Sequence, residues 1–325
     1  MSKWCIGIDL GGTYTKFVLV DEQQRPSESM QLPTPLDRGH VGVVEQMVAG
    51  SRRLMEAGGL SDGDVVGVGI GSPGPINIAK GLVMATPNLP GLDNCPLRDL
   101  VADALGFPAV LENDANAAAY GEYIAGAGKG GGDMVMLTLG TGIGGGVVLD
   151  GRILHGSHDA GAELGHIILV PGGELCGCGQ RGCLEQYASA TFLARRTTRR
   201  LLAEDVHSSL RKVLDEKGEI DARDINEARR AGDELAAQMW DEAIRYLAQG
   251  CVDLCRIFDP DRIVLSGGMT NAGDDLMRPL RRHFQALDWK LMPTPTELAI
   301  ASLGTDAGSI GAAGVAWQAF GKRMR

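Results

Sequence analysis

A chain of 325 residues can build about two hydrophobic cores, and 44% apolar with 22% charged residues is the balance of a globular protein, not a disordered or fibrous one. A net charge of -10 works against non-specific binding to nucleic acid or acidic membranes, which needs clustered lysine and arginine. The chain reaches Asp9 without an extended apolar run, and no stretch of about 18 apolar residues occurs, so the expectation is a cytoplasmic protein with neither signal peptide nor membrane span.

In chain order, residues 4–10 and 17–20 read as strands about the turn Gly11-Gly12-Thr13. Val43, Val44, Met47, Leu54 and Met55 recur at helical spacing and predict a helix over 39–58. A strand over 65–70 enters the rigid turn Ser72-Pro73-Gly74-Pro75, and Asn88-Leu-Pro-Gly91 makes another such turn. A strand over 109–112 precedes an alanine-rich helix over 114–125. Strands over 134–139 and 146–149 then flank Gly140-Thr141-Gly142, an echo of the first glycine turn and a sign of duplicated architecture. Helices are predicted over 186–203, 233–258, 273–286 and 308–320, and a strand runs from Arg262 into Gly267-Gly268. The charged stretch 204–232 reads as a solvated helical insert.

Two groups of residues carry chemistry. A nucleotide phosphate must be approached by unobstructed backbone N–H groups, and glycine permits that approach. Asp9-Leu10-Gly11-Gly12-Thr13 and Gly140-Thr141-Gly142 supply two such nests. Asp9 ends an apolar strand where a carboxylate has no packing purpose, so it can orient a magnesium ion or its water. Lys16 either approaches phosphate or is a solvated strand-end lysine. In Glu112-Asn113-Asp114-Ala115-Asn116 a strand passes into a helix: one of Asn113 and Asp114 caps the helix, and the other points into the crevice where α/β proteins bind ligands.

The second group is His166, Cys176, Cys178 and Cys183, a His-x9-Cys-x-Cys-x4-Cys spacing that completes a closed tetrahedral zinc shell. A closed shell leaves no place for an activated water, so the zinc is expected to be structural. The seven cysteines, an odd number with three in this cluster, fit a reducing compartment. Glu163 and Glu185 flank the cluster and are left over for ligand binding. Glu163 and His166 are three apart and share a face if that turn is helical. His166 can use one ring nitrogen for zinc and the other for a ligand oxygen.

These motifs resemble the ROK family of sugar kinases and repressors over essentially the whole chain, from the first phosphate turn to Leu303-Gly304-Thr305-Asp306-Ala307-Gly308. The Glu112–Asn116 and Gly182–Ser189 segments look most like those of its bacterial glucokinases. The resemblance implies an α/β, two-domain, actin-like or hexokinase-type ATPase fold with an interdomain cleft. The expected division is a small domain of 1–112 plus 306–325 and a large domain of 113–305. It further implies Asp114 as the general base of phosphoryl transfer, and Asn113, Glu163, His166 and Glu185 as ligands of a hexose. Gly74 and Asn88 lie on turns that close over the sugar in the family, and Gly267 and Gly268 match an element that lies against adenosine. The expected cofactors are ATP, magnesium and structural zinc. The expected partners are glucose or a related hexose and further copies of the chain in a homodimer or homotetramer, with no nucleic acid and no membrane. The alternatives are a kinase for N-acetylmannosamine, N-acetylglucosamine, fructose or mannose, and, more distantly, a sugar-responsive repressor.

Overall fold

The computed structural model describes residues 2–84 and 89–321. In chain order its elements are β1 (Trp4–Leu10), β2 (Tyr14–Asp21), β3 (Pro26–Pro33), α1 (Gly39–Ala57), β4 (Val65–Ser72), β5 (Ile76–Asn77), β6 (Leu82–Val83), α2 (Leu97–Leu105), β7 (Ala109–Asn113) and α3 (Asp114–Ala125). They continue as β8 (Met134–Leu139), β9 (Ile143–Leu149), β10 (Arg152–Ile153), α4 (Glu185–Ala188), α5 (Ala190–Ala203), α6 (Leu210–Lys217) and α7 (Ala222–Arg230). The last are α8 (Glu234–Phe258), β11 (Arg262–Ser266), α9 (Asp274–Leu287), β12 (Glu297–Ile300) and α10 (Ala307–Phe320).

The chain forms two compact units. The first holds residues 1–132, 146–162 and 301–325, and the second holds 133–145 and 163–300. The first is built on a sheet of order β3-β2-β1-β4-β7, in which β1, β2 and β3 are antiparallel while β1, β4 and β7 run parallel. The sheet β10-β9-β8-β11-β12 repeats this plan, with β8, β11 and β12 parallel. The division between the units passes through β9, whose Ile143–Gly145 stretch belongs to the second. The predicted duplication is thus a duplication of sheet topology. Because parallel α/β sheets bind ligands at the carboxyl ends of their strands, the residues that matter are those just after β1, β4 and β7 in one unit and after β8 and β11 in the other.

The first core packs Ile6, Ile8 and Leu10 of β1 with Phe17, Leu19, Val68 and Ile70, all essentially inaccessible to solvent. On the other face lies α10, a helix apolar all round and therefore central. It touches β1, β4 and α3 closely enough that glycines mark the contacts. A Cβ at Gly7 would lie 1.9 Å from the Ser309 carbonyl oxygen, and one at Gly311 would lie 1.6 Å from that of Ala117.

The structure corrects several expectations. The compact units do not divide at residue 113: α3 packs against α10, with Gly121 against the Ala307 carbonyl, and so belongs to the first unit. The helix over 186–203 is two helices, because Ser189 leaves helical geometry and caps α5 by accepting the Phe192 N–H at 3.3 Å. The segment 204–232 is helical and mostly exposed, as expected, but it is anchored by a few buried residues. It contains α6 and α7, Asp221 and Asp224 form a capping box, and Leu210, Ile225 and Ala228 are buried. The strand expected from 146 begins at Ile143, its glycines lying inside it. The strands β3 and β12 and the helix α2 lacked a clear sequence signal; β3 is a polar edge strand with prolines only at its ends. Asn88 lies outside the described residues.

Candidate active site

In the first unit the parallel strands bring two carboxylates together. Asp9 is the penultimate residue of β1, and Asp114 opens α3 directly after β7. Asn113 takes the capping role: its Oδ1 accepts the N–H groups of Ala115 at 2.9 Å and Asn116 at 3.2 Å. Its amide nitrogen turns toward Gly74, where a Cβ would lie 3.3 Å away. Asp114, relieved of the cap, makes one local bond, accepting the Ala115 N–H at 2.8 Å. Burial pushes its carboxyl above the usual range. Asp9 is pushed up to about 6, first by burial and then by the charge of Asp114, against the opposing pull of Lys16. Gly308 on the first turn of α10 makes room for Asp9: a Cβ there would meet Asp9 Oδ2 at 2.6 Å. Lys16 Nζ donates to the Thr305 carbonyl at 2.5 Å, tying β2 to the segment before α10.

The first glycine turn is closed by the Gly11 N–H donating to the Tyr14 carbonyl at 3.0 Å. It is strapped from outside by Thr34, whose hydroxyl donates to the Gly11 carbonyl at 2.7 Å and whose N–H donates to the Thr13 carbonyl at 2.9 Å. Sequence reasoning missed Thr34, which is an unremarkable threonine until β3 returns it to the turn. Glu112 and His155 were missed as well; they are taken up below.

In the second unit, Gly140-Thr141-Gly142 follows β8 and Gly267-Gly268 follows β11, on neighbouring parallel strands. Gly267 has φ 90°, and its Cα passes so near β8 that a Cβ would meet the Leu139 carbonyl oxygen at 2.4 Å. The turns border a cavity of about 370 Å³ lined by Gly140, Thr141, Ala222, Asn226, Gly268 and Met269. Three larger hollows, about 1190, 1050 and 560 Å³, are lined by no residue of either glycine turn, so their size alone does not make them the active site.

The zinc-type residues converge as their spacing predicts. The ligand atoms of His166, Cys176, Cys178 and Cys183 all lie within 4.8 Å of one another, with Cys178 and Cys183 sulfurs 3.7 Å apart and His166 Nδ1 3.6 Å from the Cys176 sulfur. A tetrahedral zinc with bonds of about 2.3 Å to sulfur requires edges of about 3.8 Å. The donor set fits that ion with all four positions filled by protein. Since Nδ1 faces the cluster, Nε2 of His166 is left for another partner. Glu163 precedes the single helical turn Leu164–His166, and its carbonyl accepts the His166 N–H at 3.0 Å. The Leu184 N–H donates to the Ile167 carbonyl at 2.9 Å and joins this turn to the Cys183–Glu185 segment. Glu185 then reaches both features of the unit. Its Oε2 accepts the Ile143 N–H at 3.0 Å beside the glycine turn, and its Oε1 lies 3.7 Å from the Cys176 sulfur.

Two α/β sheets of one topology, each with a glycine turn at the carboxyl end of its first parallel strand, characterise the two-domain sugar-kinase fold. The ROK family profile matches residues 5–319, and the chain belongs to that family. It is 39% identical to a glucokinase of Thermotoga maritima over 97% of this chain and 98% of that one. Among solved structures it is similar to the ROK hexokinase of Thermus thermophilus, with 35% identity, a TM-score of 0.82 and coverage of 98% of this chain and 99% of that one. The ROK family glucokinase of Streptomyces griseus, solved with glucose and AMPPNP, is 36% identical, with a TM-score of 0.74 and coverage of 97% and 99%.

Proposed function

We propose that this protein is an ATP-dependent glucokinase that moves the terminal phosphoryl group of ATP to the 6-hydroxyl of glucose. The observation that carries this reading is the division of labour after β7: Asn113 caps the helix, leaving Asp114 a carboxylate that burial has made more basic. Asp114 accepts the proton of the attacking sugar hydroxyl. Phosphoryl transfer is largely dissociative, so the proton leaves late and the base chiefly orients the oxygen. The raised proton affinity of Asp114 helps without being decisive.

The other residues take the roles that the likeness to the ROK kinases implies for them. The amides of Gly11, Gly12, Thr13, Gly140, Thr141 and Gly142 approach phosphate oxygens, and Lys16, which keeps two donors beyond its bond to Thr305, adds a cation. Adenosine enters the 370 Å³ cavity against Gly268, with Gly267 shaping the turn beside it. Asp9 holds magnesium, which when bound spreads the negative charge developing on the phosphates. Glucose hydroxyls are met by Glu163, His166 Nε2, Glu185 and the Asn113 amide, with Gly74 and Asn88 closing over the ring. Zinc on His166, Cys176, Cys178 and Cys183 fixes the His166 ring and the loop that carries Glu185. A cytoplasmic location and a homodimeric or homotetrameric assembly go with this reading.

The test is side-by-side kinetics on glucose, mannose, fructose, N-acetylmannosamine and N-acetylglucosamine. A site that pairs every glucose hydroxyl rejects a bulky 2-acetamido group, so glucose should exceed both N-acetylhexosamines by more than about tenfold in kcat/KM. Mannose should come nearest. A higher kcat/KM on an N-acetylhexosamine would overturn glucose as the substrate while leaving a ROK hexose kinase.

A further inference from the structure

Glu112 is an acid in the wrong place for an ordinary surface carboxylate. It sits in β7 opposite Gly71 of β4, and its side chain is 1% exposed. A buried carboxylate costs several kcal/mol unless it is paired and hydrogen-bonded. Among the described residues no lysine or arginine pairs with it. Its Oε1 accepts the Asn113 N–H at 2.9 Å and the side-chain amide of the buried Asn116 at 3.1 Å, and its Oε2 meets His155 Nε2 at 2.7 Å. The titratable partner of this buried charge is therefore His155, on the loop after β10.

We propose that His155 is a positioning residue for phosphoryl transfer, holding Glu112 so that Glu112 in turn holds the Asn113–Asp114 turn and the catalytic base it carries. The inference rests on the reading of Asp114 as that base. The chain of contacts is short and directional. Glu112 grips the backbone N–H of Asn113 and the side chain of Asn116, whose N–H in turn donates to Asn113 Oδ1. Both ends of the cap, and with them the first residue of α3, are fixed from behind by one carboxylate. Without His155 that carboxylate loses its partner on Oε2, and it is free to rotate or to draw in water. A shift of 1 Å at a reacting group is enough to cost about a hundredfold in rate.

The pair is also open to the pH of the medium. His155 is 32% exposed and lines the 1190 Å³ hollow, whose walls also carry Lys3, Glu22, Asp150 and Arg152. The hydrogen bond to Glu112 raises its pKa, aided by the charges of Glu112 and Asp159 and opposed by partial burial. The imidazolium thus persists above the ordinary histidine range and is lost as pH rises through the raised value.

The experiment compares His155→Ala and His155→Gln, each alone and with Asp114→Asn, in kcat, in KM for glucose and MgATP, and over pH 6 to 9. His155→Ala should lower kcat about tenfold, since a hydrogen bond to a charged group has been removed from behind the base, with both KM values within about twofold. His155→Gln, which restores a donor that does not titrate, should recover most of kcat and abolish the alkaline decline expected of the wild type. On the Asp114→Asn background His155→Ala should add little. Unchanged kcat in His155→Ala, or an equal loss on both backgrounds, would overturn the proposal; near-normal turnover of Asp114→Asn alone would instead overturn the general-base reading. Folding defects are set apart by thermal melts, and a glutamine variant as slow as the alanine variant with a wild-type melt also counts against the positioning role.

Discussion

The two glycine turns look like copies of one device, yet they are held in different ways. The first follows Asp9 on its own strand, closes through the Gly11–Tyr14 hydrogen bond, and has Asp114 as a second acid nearby. The second has Thr138 where the first has Asp9. It closes through Gly140 N–H to the Gly142 carbonyl at 3.0 Å, and takes its carboxylate, Glu185, from the segment after the cysteine cluster. A Cβ on Gly142 would fall 2.3 Å from Glu185 Oε2, so glycine there makes space for an acid delivered from elsewhere. The comparison teaches that duplicated topology supplies backbone amides twice but carboxylates only once. In the first turn the acids are the ones proposed to serve the reaction; in the second an acid serves the turn.

The comparison breaks most visibly at the first turn's acid pair. Asp114→Asn should lower kcat by at least about a hundredfold with little change in glucose KM, as expected for a base whose shape is kept. Steady-state kinetics check this, and an activity near wild type would reduce Asp114 to a helix residue. At the second turn, Cys178→Ala should release a metal that elemental analysis finds at about one zinc per chain in the wild type. Activity should fall with the metal, because Glu185 is positioned through Cys183. A zinc-free variant with full activity would separate the cluster from the turn.

Smaller changes sharpen the contrast. Gly142→Ala should raise KM for MgATP by about tenfold and lower thermal stability, because the methyl collides with Glu185. Gly140→Ala meets nothing within 4 Å, so it should leave the melt unchanged and raise only the nucleotide KM. Equal melts for both variants would show that Glu185 yields freely. The smallest effect concerns Asp9, whose pKa rises from 3.8 to about 6 on folding. Between those values the native state keeps a proton that the unfolded chain has lost, so this group's contribution to stability falls as pH rises through that window and stays low above it. Asp9→Asn should therefore raise Tm at neutral pH by about 3 °C while increasing the magnesium concentration needed for turnover. A lowered Tm would mean that the charge is better compensated than its burial suggests.

Much of this was legible in the sequence because it rests on local signals. Apolar runs ending in glycine placed β1, β8 and β11 to the residue or nearly so, and the spacing of His166 with three cysteines defined a ligand set without any tertiary information. The sequence left open which of Asn113 and Asp114 caps α3, because both side chains suit the cap and the choice depends on where Gly74 and Glu112 lie. Thr34 and His155 were invisible for a shared reason. Each acts across a long stretch of chain on a residue to which no periodicity connects it. The segment 204–232 was legible as a charged, exposed helical stretch, but its anchoring through Leu210 and Ile225 was not, because its charges outnumber its apolar residues.

The central helix α10 has a consequence for how the molecule is made. The strands β1 and β4 emerge from the ribosome long before the residues that fill the groove over Gly7 and Gly69, where α10 lies so close that a Cβ at Gly69 would meet the Ala312 carbonyl oxygen at 1.7 Å. Until that helix arrives, one face of the first sheet is an open apolar surface, and contacts of such sequence separation are slow to form. The second unit, whose chain is complete by Ile300, has no such debt. Nascent chains would acquire the half bearing the cysteine cluster first and the half bearing Asp9 and Asp114 last, so the proposed active site is complete only once α10 has docked.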